Sequence, residues 1–305
     1  MISTIASILA PVMPAEQVEV RDGGNVIFSW QGVPRSVTAG GKAVEFSAFV
    51  GELRTPSGFA CTSTQPADHV HHCGLWWPWK FVEVDGVKYN TWEVQHGQGA
   101  HRARSVKSLS QDEGRHEWEF SNETVVQKAD GGTVPVIHET ARVSLTAGKD
   151  ATTLDVSLRQ KAVDLPVNIM PNHYSGFSLR GPAGWNKDNS MLTSSEGKGR
   201  EDANGTPARW LLLNGQGTDG PVSILILSAA AKLAGKPEKL RVWDSKNHNG
   251  AVFVNFNPVA DQALPLDEAH PAVSNRAYRI IAADRRIDAA TAEQQWRMWL
   301  GNQEK

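Results

Sequence analysis

The feature that most constrains this chain is alternation. From Arg115 to Gly148 the sequence reads RHEWEFSNETVVQKADGGTVPVIHETARVSLTAG, with apolar residues returning at every second position. A period of two belongs to a half-buried strand rather than to a helix. The break at Gly131–Gly132 supplies residues that take positive φ without penalty, so the stretch predicts two long antiparallel strands joined by a hairpin. Similar runs recur along the chain: QVEVRDGGNVIFSW, AVEFSAFVGELRT, TTLDVSLRQ, PVSILILSA, AVFVNFNP and AYRIIAAD, each bounded by Gly, Asn, Asp or Pro. The expectation is an all-β chain forming one domain over residues 1–305. One helix is predicted at about 288–302, in DAATAEQQWRMWLGNQ, with Thr291 and Gln294 as a capping box and Gly301 as its stop. The polar, glycine-rich stretch 181–207 predicts a long functional loop.

Charge narrows the partners. Thirty-one Lys and Arg face 33 Asp and Glu, a formal net charge of −2, with no basic stripe or tail. Nothing favours nucleic acid or an anionic membrane, and a neutral small molecule suits this balance. No run reaches the roughly 18 apolar residues of a spanning helix. Two cysteines, Cys61 and Cys73, are too few for a disulfide framework and fit a reducing compartment, so a cytoplasmic location is expected. The apolar MISTIASILAPVMPA at the start lacks the Lys or Arg of a leader and predicts a first strand. A secreted or periplasmic location is the alternative if those 15 residues are a signal. No feature fixes the oligomeric state.

Eleven tryptophans and a dense histidine run direct attention to DHVHHCGLWWPWK, Asp68 to Lys80. In an extended chain His69 and His71 share a face and His72 takes the other. His69 and His71 with Glu93 would then be ligands for one divalent metal ion, the alternative to a site with no cofactor; His96, His101, His138, Glu139 and His173 are further donors. Trp77 and Trp79 return to one face, and Pro78 puts the run at an edge or bulge, where tryptophans form a pocket wall suited to stacking on a sugar. Trp92 and Glu93 in TWE, and Arg180 at the end of YSGFSLRG, join His71, Trp77 and Trp79 as candidate substrate contacts. His173 follows an apolar strand at a loop junction, where binding residues cluster. Asp267 and Glu268 lie in a Pro-bounded loop before a strand, and a carboxylate facing an imidazole is what acid/base chemistry on a hydroxyl requires. No Walker loop, dinucleotide fingerprint or serine-nucleophile elbow is present.

Over nearly its whole length the chain resembles a bacterial family called PmoA-like, through TPSG (55–58), DHVHHCGLWW (68–77), TWE (91–93), YSGFSLRG (174–181), ARWLLLNG (208–215) and AYRIIAAD (277–284). That family usually carries Arg where Cys73 stands here. More distantly, VNIMPNHYSGFSL is similar to the NHSYFNL element of aldose 1-epimerases, the galactose mutarotases; HHCG is similar to their HGG element and LDEAHPAVSN to the late element bearing their base. The order along the chain is kept. This resemblance implies a β-supersandwich that binds a sugar, with His72 (or His71) and His173 as catalytic histidines and Asp267 or Glu268 as base. Its base would take the anomeric proton while His173 protonates the ring oxygen. The expected function is acid/base chemistry on a neutral sugar or glycoside, with no cofactor. The alternatives are a metal-dependent lyase, hydratase or isomerase acting on an oxidised sugar, and a carbohydrate-binding module without catalysis.

Overall fold

The computed structural model describes residues 13–39, 41–112 and 114–302. The two readings of residues 1–15, first strand or signal, fall largely outside them; within them, Met13–Pro14 pairs with Ser105–Val106.

Alternation produces the expected strands, and the strands form two large sheets packed face to face. One sheet runs, in spatial order, Met13–Pro14, Gly99–Asp112, Arg115–Gln127, Thr133–Ala147, Ala151–Ala162, Asn275–Ala283, Pro221–Ser228, Trp210–Gln216 and Ser190–Ser194, every neighbour antiparallel. Its centre is the predicted hairpin, closed at Lys128–Gly132. The second sheet runs Pro207–Ala208, Glu238–Val242, Phe253–Asn257, Phe177–Arg180, Leu75–Trp76, Phe49–Leu53, Asn25–Gln31 and Val18–Asp22. The residues that alternate inward from both, among them Val143, Leu145, Leu154, Ile224, Val50, Leu75, Leu179 and Val254, make the main core.

Aromatic rings cross that core as one column. Trp118, Phe120, Trp30, Trp77, Phe177 and Tyr278 follow one another at centroid separations of 6.3, 4.3, 5.7, 5.8 and 4.1 Å, passing from one sheet to the other and back. A smaller sheet, Leu264–Pro265, Val167–Ile169, Phe81–Val84 and Val87–Asn90, closes a second core around Trp79, Val136, Ile169 and Val273.

The predicted helix is present as Ala289–Asn302 and covers the outer face of the first sheet with Ala292 and Trp299. Its cap differs from the expectation. Asp288, not Thr291, is the capping side chain: its Oδ1 accepts the Thr291 N–H at 2.7 Å, so the helix begins one turn earlier than a Thr291 cap would place it. Gly301 lies inside the last turn instead of ending it. The stretch 181–207 also departs from a plain loop, since Ser190–Ser194 adds an edge strand to the first sheet and Pro207–Ala208 to the second. Arg200, buried beneath it, ties it down through Gly250 O (2.6 Å) and the Ser190 hydroxyl (2.8 Å). Among the described residues, no helix is long and apolar enough to cross a membrane. Cys61 and Cys73 are buried and free.

Candidate functional site

Period two fixes what the second sheet shows on its outer face. Where Leu75, Leu179, Val242 and Val254 point inward, their neighbours Trp76, Arg180, Trp243 and Phe253 point out. Trp76, Trp92, Trp243 and Phe253 pack there as an aromatic layer with Phe49, flanked by Tyr174.

The histidine run lies on this layer, and it is a turn rather than a strand. His72 N–H donates to His69 O at 2.9 Å, and His69 N–H to Pro66 O at 2.9 Å. The two-against-one split expected of an extended chain therefore does not occur. All three imidazoles meet: ring centroids are 4.7 Å apart for His69–His72, 4.8 Å for His71–His72 and 5.5 Å for His69–His71. Gly74 makes the exit from the turn possible. Its φ is +66°, and a Cβ there would lie 2.4 Å from Val50 O.

Two polar clusters flank the turn. On one side Asp68 receives both an Arg180 guanidinium, at 3.1 and 3.3 Å, and His69 Nδ1 at 3.0 Å; His248 Nδ1 stands 4.0 Å from the same carboxylate. Arg180 lies over the Trp243 ring at 4.7 Å, and His248 over it at 4.1 Å. On the other side the Lys80 ammonium donates to Glu93, which also accepts from Asn90 Nδ2 at 2.8 Å. Burial raises the Glu93 carboxyl, but the Lys80 and Asn90 hydrogen bonds outweigh it and hold the group below the ordinary range. His71 feels both Glu93 and Lys80, and burial brings its pKa down to about 4. Burial, then the charges of Arg241 and Lys80, lower His173 as well. His173 is exposed and stacks beside Tyr174 at 4.4 Å, while the Tyr174 hydroxyl accepts from Arg241 at 3.1 Å and from Trp243 Nε1 at 3.3 Å.

The structure thus brings together His69, His71, His72, Trp92, Glu93, His173 and Arg180. Within this set His72 is floor, not surface: it is 1% exposed, sandwiched between His69 and Phe253. His71 is the half-buried neighbour. Three sets of expected residues are placed elsewhere. Trp77 and Trp79 are 0% exposed, each in a core, with their indole N–H groups donating to Glu139 (2.8 Å) and Gln160 (2.9 Å). Asp267 and Glu268 sit on an exposed loop, where Asp267 accepts from His270 at 2.7 Å, and no contact links either carboxylate to His72 or His173. The ligand set His69, His71 and Glu93 does not converge either, because the turn sends His69 toward Asp68 and His71 toward Glu93 and Lys80. Among the described residues, the group of His, Cys, Asp and Glu whose donor atoms do converge is Asp68, His69 and His248, all within 4.8 Å of one another. Lys80, Tyr174, Trp243 and His248 were not foreseen as site residues. The alternation of LRVWD around Trp243 would have found that tryptophan; nothing local marks His248.

The aromatic layer itself is covered, Trp243 being 1% exposed, and His173 and His248 stand exposed above it; a cavity of about 20 Å³ lies behind His71 and Trp92. A larger cavity of about 560 Å³ lies away from the histidines, between Val87, Tyr89, Val134 and Leu165.

No curated protein sequence matches this chain. Among solved structures it is similar to an Escherichia coli K12 protein assigned as an aldose 1-epimerase (TM-score 0.38, 8% identity, covering 84% of this chain and 99% of that one). It is also similar to a galactose mutarotase related enzyme from Lactobacillus acidophilus (TM-score 0.40, 7% identity, covering 83% and 98%). Scores and identities this low carry no argument about ligand or reaction. A family profile, by contrast, matches residues 17–297, nearly the whole chain, and by that match the protein belongs to DUF6807, a family of unknown function.

Proposed function

We propose that the protein binds a neutral sugar or glycoside at the polar groups above the aromatic layer of its second sheet and moves protons on the anomeric centre. The observation that carries this reading is the convergence, over one buried tryptophan layer, of the exposed His173 imidazole, the half-buried His71 and the Lys80–Glu93 pair. The aromatic layer, buried beneath the histidine turn, holds these polar groups in place, and they recognise sugar hydroxyls. The elements DHVHHCGLWW, TWE and YSGFSLRG, which carried the PmoA-like resemblance, are the ones that supply His71, Glu93, Tyr174 and Arg180 to this face.

The roles follow from charge. Burial, then the charges of Arg241 and Lys80, disfavour the protonated form of His173, so at neutral pH its imidazole is a base and accepts the anomeric O–H proton. The Lys80 ammonium, oriented by Glu93, donates to the ring oxygen, and reversal of both transfers closes the ring on the other face. His173 is therefore assigned the opposite role from the acid implied by the mutarotase likeness.

Polarimetry on freshly dissolved α-glucose and α-galactose tests the reading. Accelerated mutarotation is expected, falling about 10²-fold or more in His173→Asn and in Lys80→Met. Activity should be lost as pH falls through the lowered pKa of His173, so the acid limb lies below 6.5, the ordinary imidazole value. No acceleration across a panel of neutral aldoses removes the catalytic form. Quenching of tryptophan fluorescence by those sugars would then leave a binding module.

A further inference from the structure

His248 needs an explanation that the sugar site does not give. It belongs to the segment between Trp243 and Phe253, and the chain takes two successive non-glycine residues through the left-handed region, His248 (φ 50°) and Asn249 (φ 55°), before Gly250 (φ 64°). Such conformations are disfavoured for residues with a Cβ. The result is an imidazole lying over Trp243 with Nδ1 4.0 Å from Asp68 Oδ2 and its ring edge-on to His69 at 4.6 Å. Asp68 already has a charged partner in Arg180, so neutralising the carboxylate does not require His248.

We propose that Asp68, His69 and His248 form a binding site for one divalent transition ion of the zinc class, with two imidazole nitrogens, one carboxylate oxygen and water or a sugar oxygen completing its shell. Zinc bonds of about 2.0–2.2 Å put donors about 3.3 Å apart in a tetrahedral site. Asp68 Oδ2 and His69 Nδ1 already stand at 3.0 Å, and the 4.0 Å to His248 closes by rotation of a side chain that is 42% exposed. Arg180 Nη2 donates to both Asp68 oxygens, at 3.1 Å (Oδ2) and 3.3 Å (Oδ1), and fixes the carboxylate as hydrogen-bonded partners of metal-ligating carboxylates do. Its charge also sets selectivity. Calcium and magnesium need several oxygen donors, and here they find one carboxylate that is already half neutralised. A zinc-class ion keeps two nitrogen donors that Arg180 does not touch. His72 Nδ1, buried below the group without a hydrogen-bond partner, shows that this corner of the face is polar beyond what the protein itself satisfies.

The site is separable from the sugar reading, because it is measured with the ion alone. Protein made without a histidine tag and stripped with EDTA is dialysed against Zn²⁺, and the bound ion is quantified; Co²⁺ in place of Zn²⁺ gives a visible d–d spectrum. One ion per chain is expected, not displaced by excess Ca²⁺ or Mg²⁺. His248→Ala, in an exposed loop, should weaken binding tenfold or more with unchanged thermal unfolding, while His71→Ala leaves it unchanged. No stoichiometric binding at ~1 mM ion, or full binding by His248→Ala, overturns the proposal. Mutarotation by the EDTA-stripped protein is an independent reading, so either inference can fail while the other stands.

Discussion

Glu139 lies in the sandwich interior, fully buried, with its carboxylate collecting donors from three strands and a turn. Trp77 Nε1 and Asn122 Nδ2 reach one oxygen at 2.8 Å, Gln160 Nε2 reaches the other at 2.5 Å, and His101 Nε2 stands 3.4 Å away. Burial alone would raise its pKa; the His101 imidazole and the donors from Trp77 and Asn122 outweigh that and bring it down to about 2, from 4.5. Because the folded pKa is depressed, the group stabilises the fold fully above 4.5, and that stability, about 3 kcal/mol, is lost as pH falls toward 2. Acid unfolding followed by circular dichroism should therefore shift to higher pH in Glu139→Gln. Glu139→Ala, which strands four donors, should cost about 3–5 kcal/mol in urea unfolding. Single residues were the hardest scale to read from sequence. Glu139 was foreseen only as a metal donor, and Trp77 and Trp79 as a pocket wall, because composition cannot tell a tryptophan that stacks on a ligand from one whose N–H serves a buried acid. The histidine run is visible in the sequence but its arrangement is not, since a turn closed by His69 O and His72 N–H leaves no periodic signature.

Elements were more legible, because period two is written into the long strands such as Thr133–Ala147 and Ala151–Ala162, while Pro221–Ser228 reads as a short apolar block and Phe253–Asn257 is buried on both faces. The hairpin at Gly131 and the long antiparallel strands stand where alternation places them, and the terminal helix is present with a different cap and end. The error at the helix start has a simple cause: Asp288 and Thr291 are both good caps, and the carboxylate one turn earlier satisfies one of the free N–H groups of the first turn, that of Thr291. Asp288→Ala should lower the melting temperature modestly, whereas Trp299→Ala, which empties the helix's anchor in its core cluster, should cost about 3–5 kcal/mol. Glycine sets a sharper limit at the site. Gly176, at φ +92°, would put a Cβ 2.5 Å from Phe256 O, as Gly74 would against Val50 O. Gly74→Ala and Gly176→Ala should each disturb the histidine face before the rest of the sandwich, seen as loss of sugar or metal binding with most β-sheet signal retained.

The whole molecule ties together segments far apart in sequence. Ser57 of TPSG donates from backbone and hydroxyl to Asp284, the last residue of AYRIIAAD, both at 2.6 Å. The first sheet interleaves strands from residues 13 to 283, so the sandwich closes only when late strands have paired with early ones, a topology that folds slowly. At this scale the sequence predicted an all-β sandwich with one C-terminal helix. It could not predict which loops converge, since Asp68, Arg180 and His248 meet only through the order of the strands. The aromatic column has an optical consequence of that closure. Trp30 and Trp77, 5.7 Å apart and inclined by 30°, are fixed in a chiral arrangement close enough for their excited states to couple. Native protein should therefore show exciton coupling in its circular dichroism that is reduced in Trp77→Phe, the remainder coming from Trp76 and Trp92, whose centroids are 5.4 Å apart. Because Trp30 lies in Asn25–Gln31 and Trp77 directly follows Leu75–Trp76, their coupling reports when these two segments of the second sheet have come into register under the rings of the first.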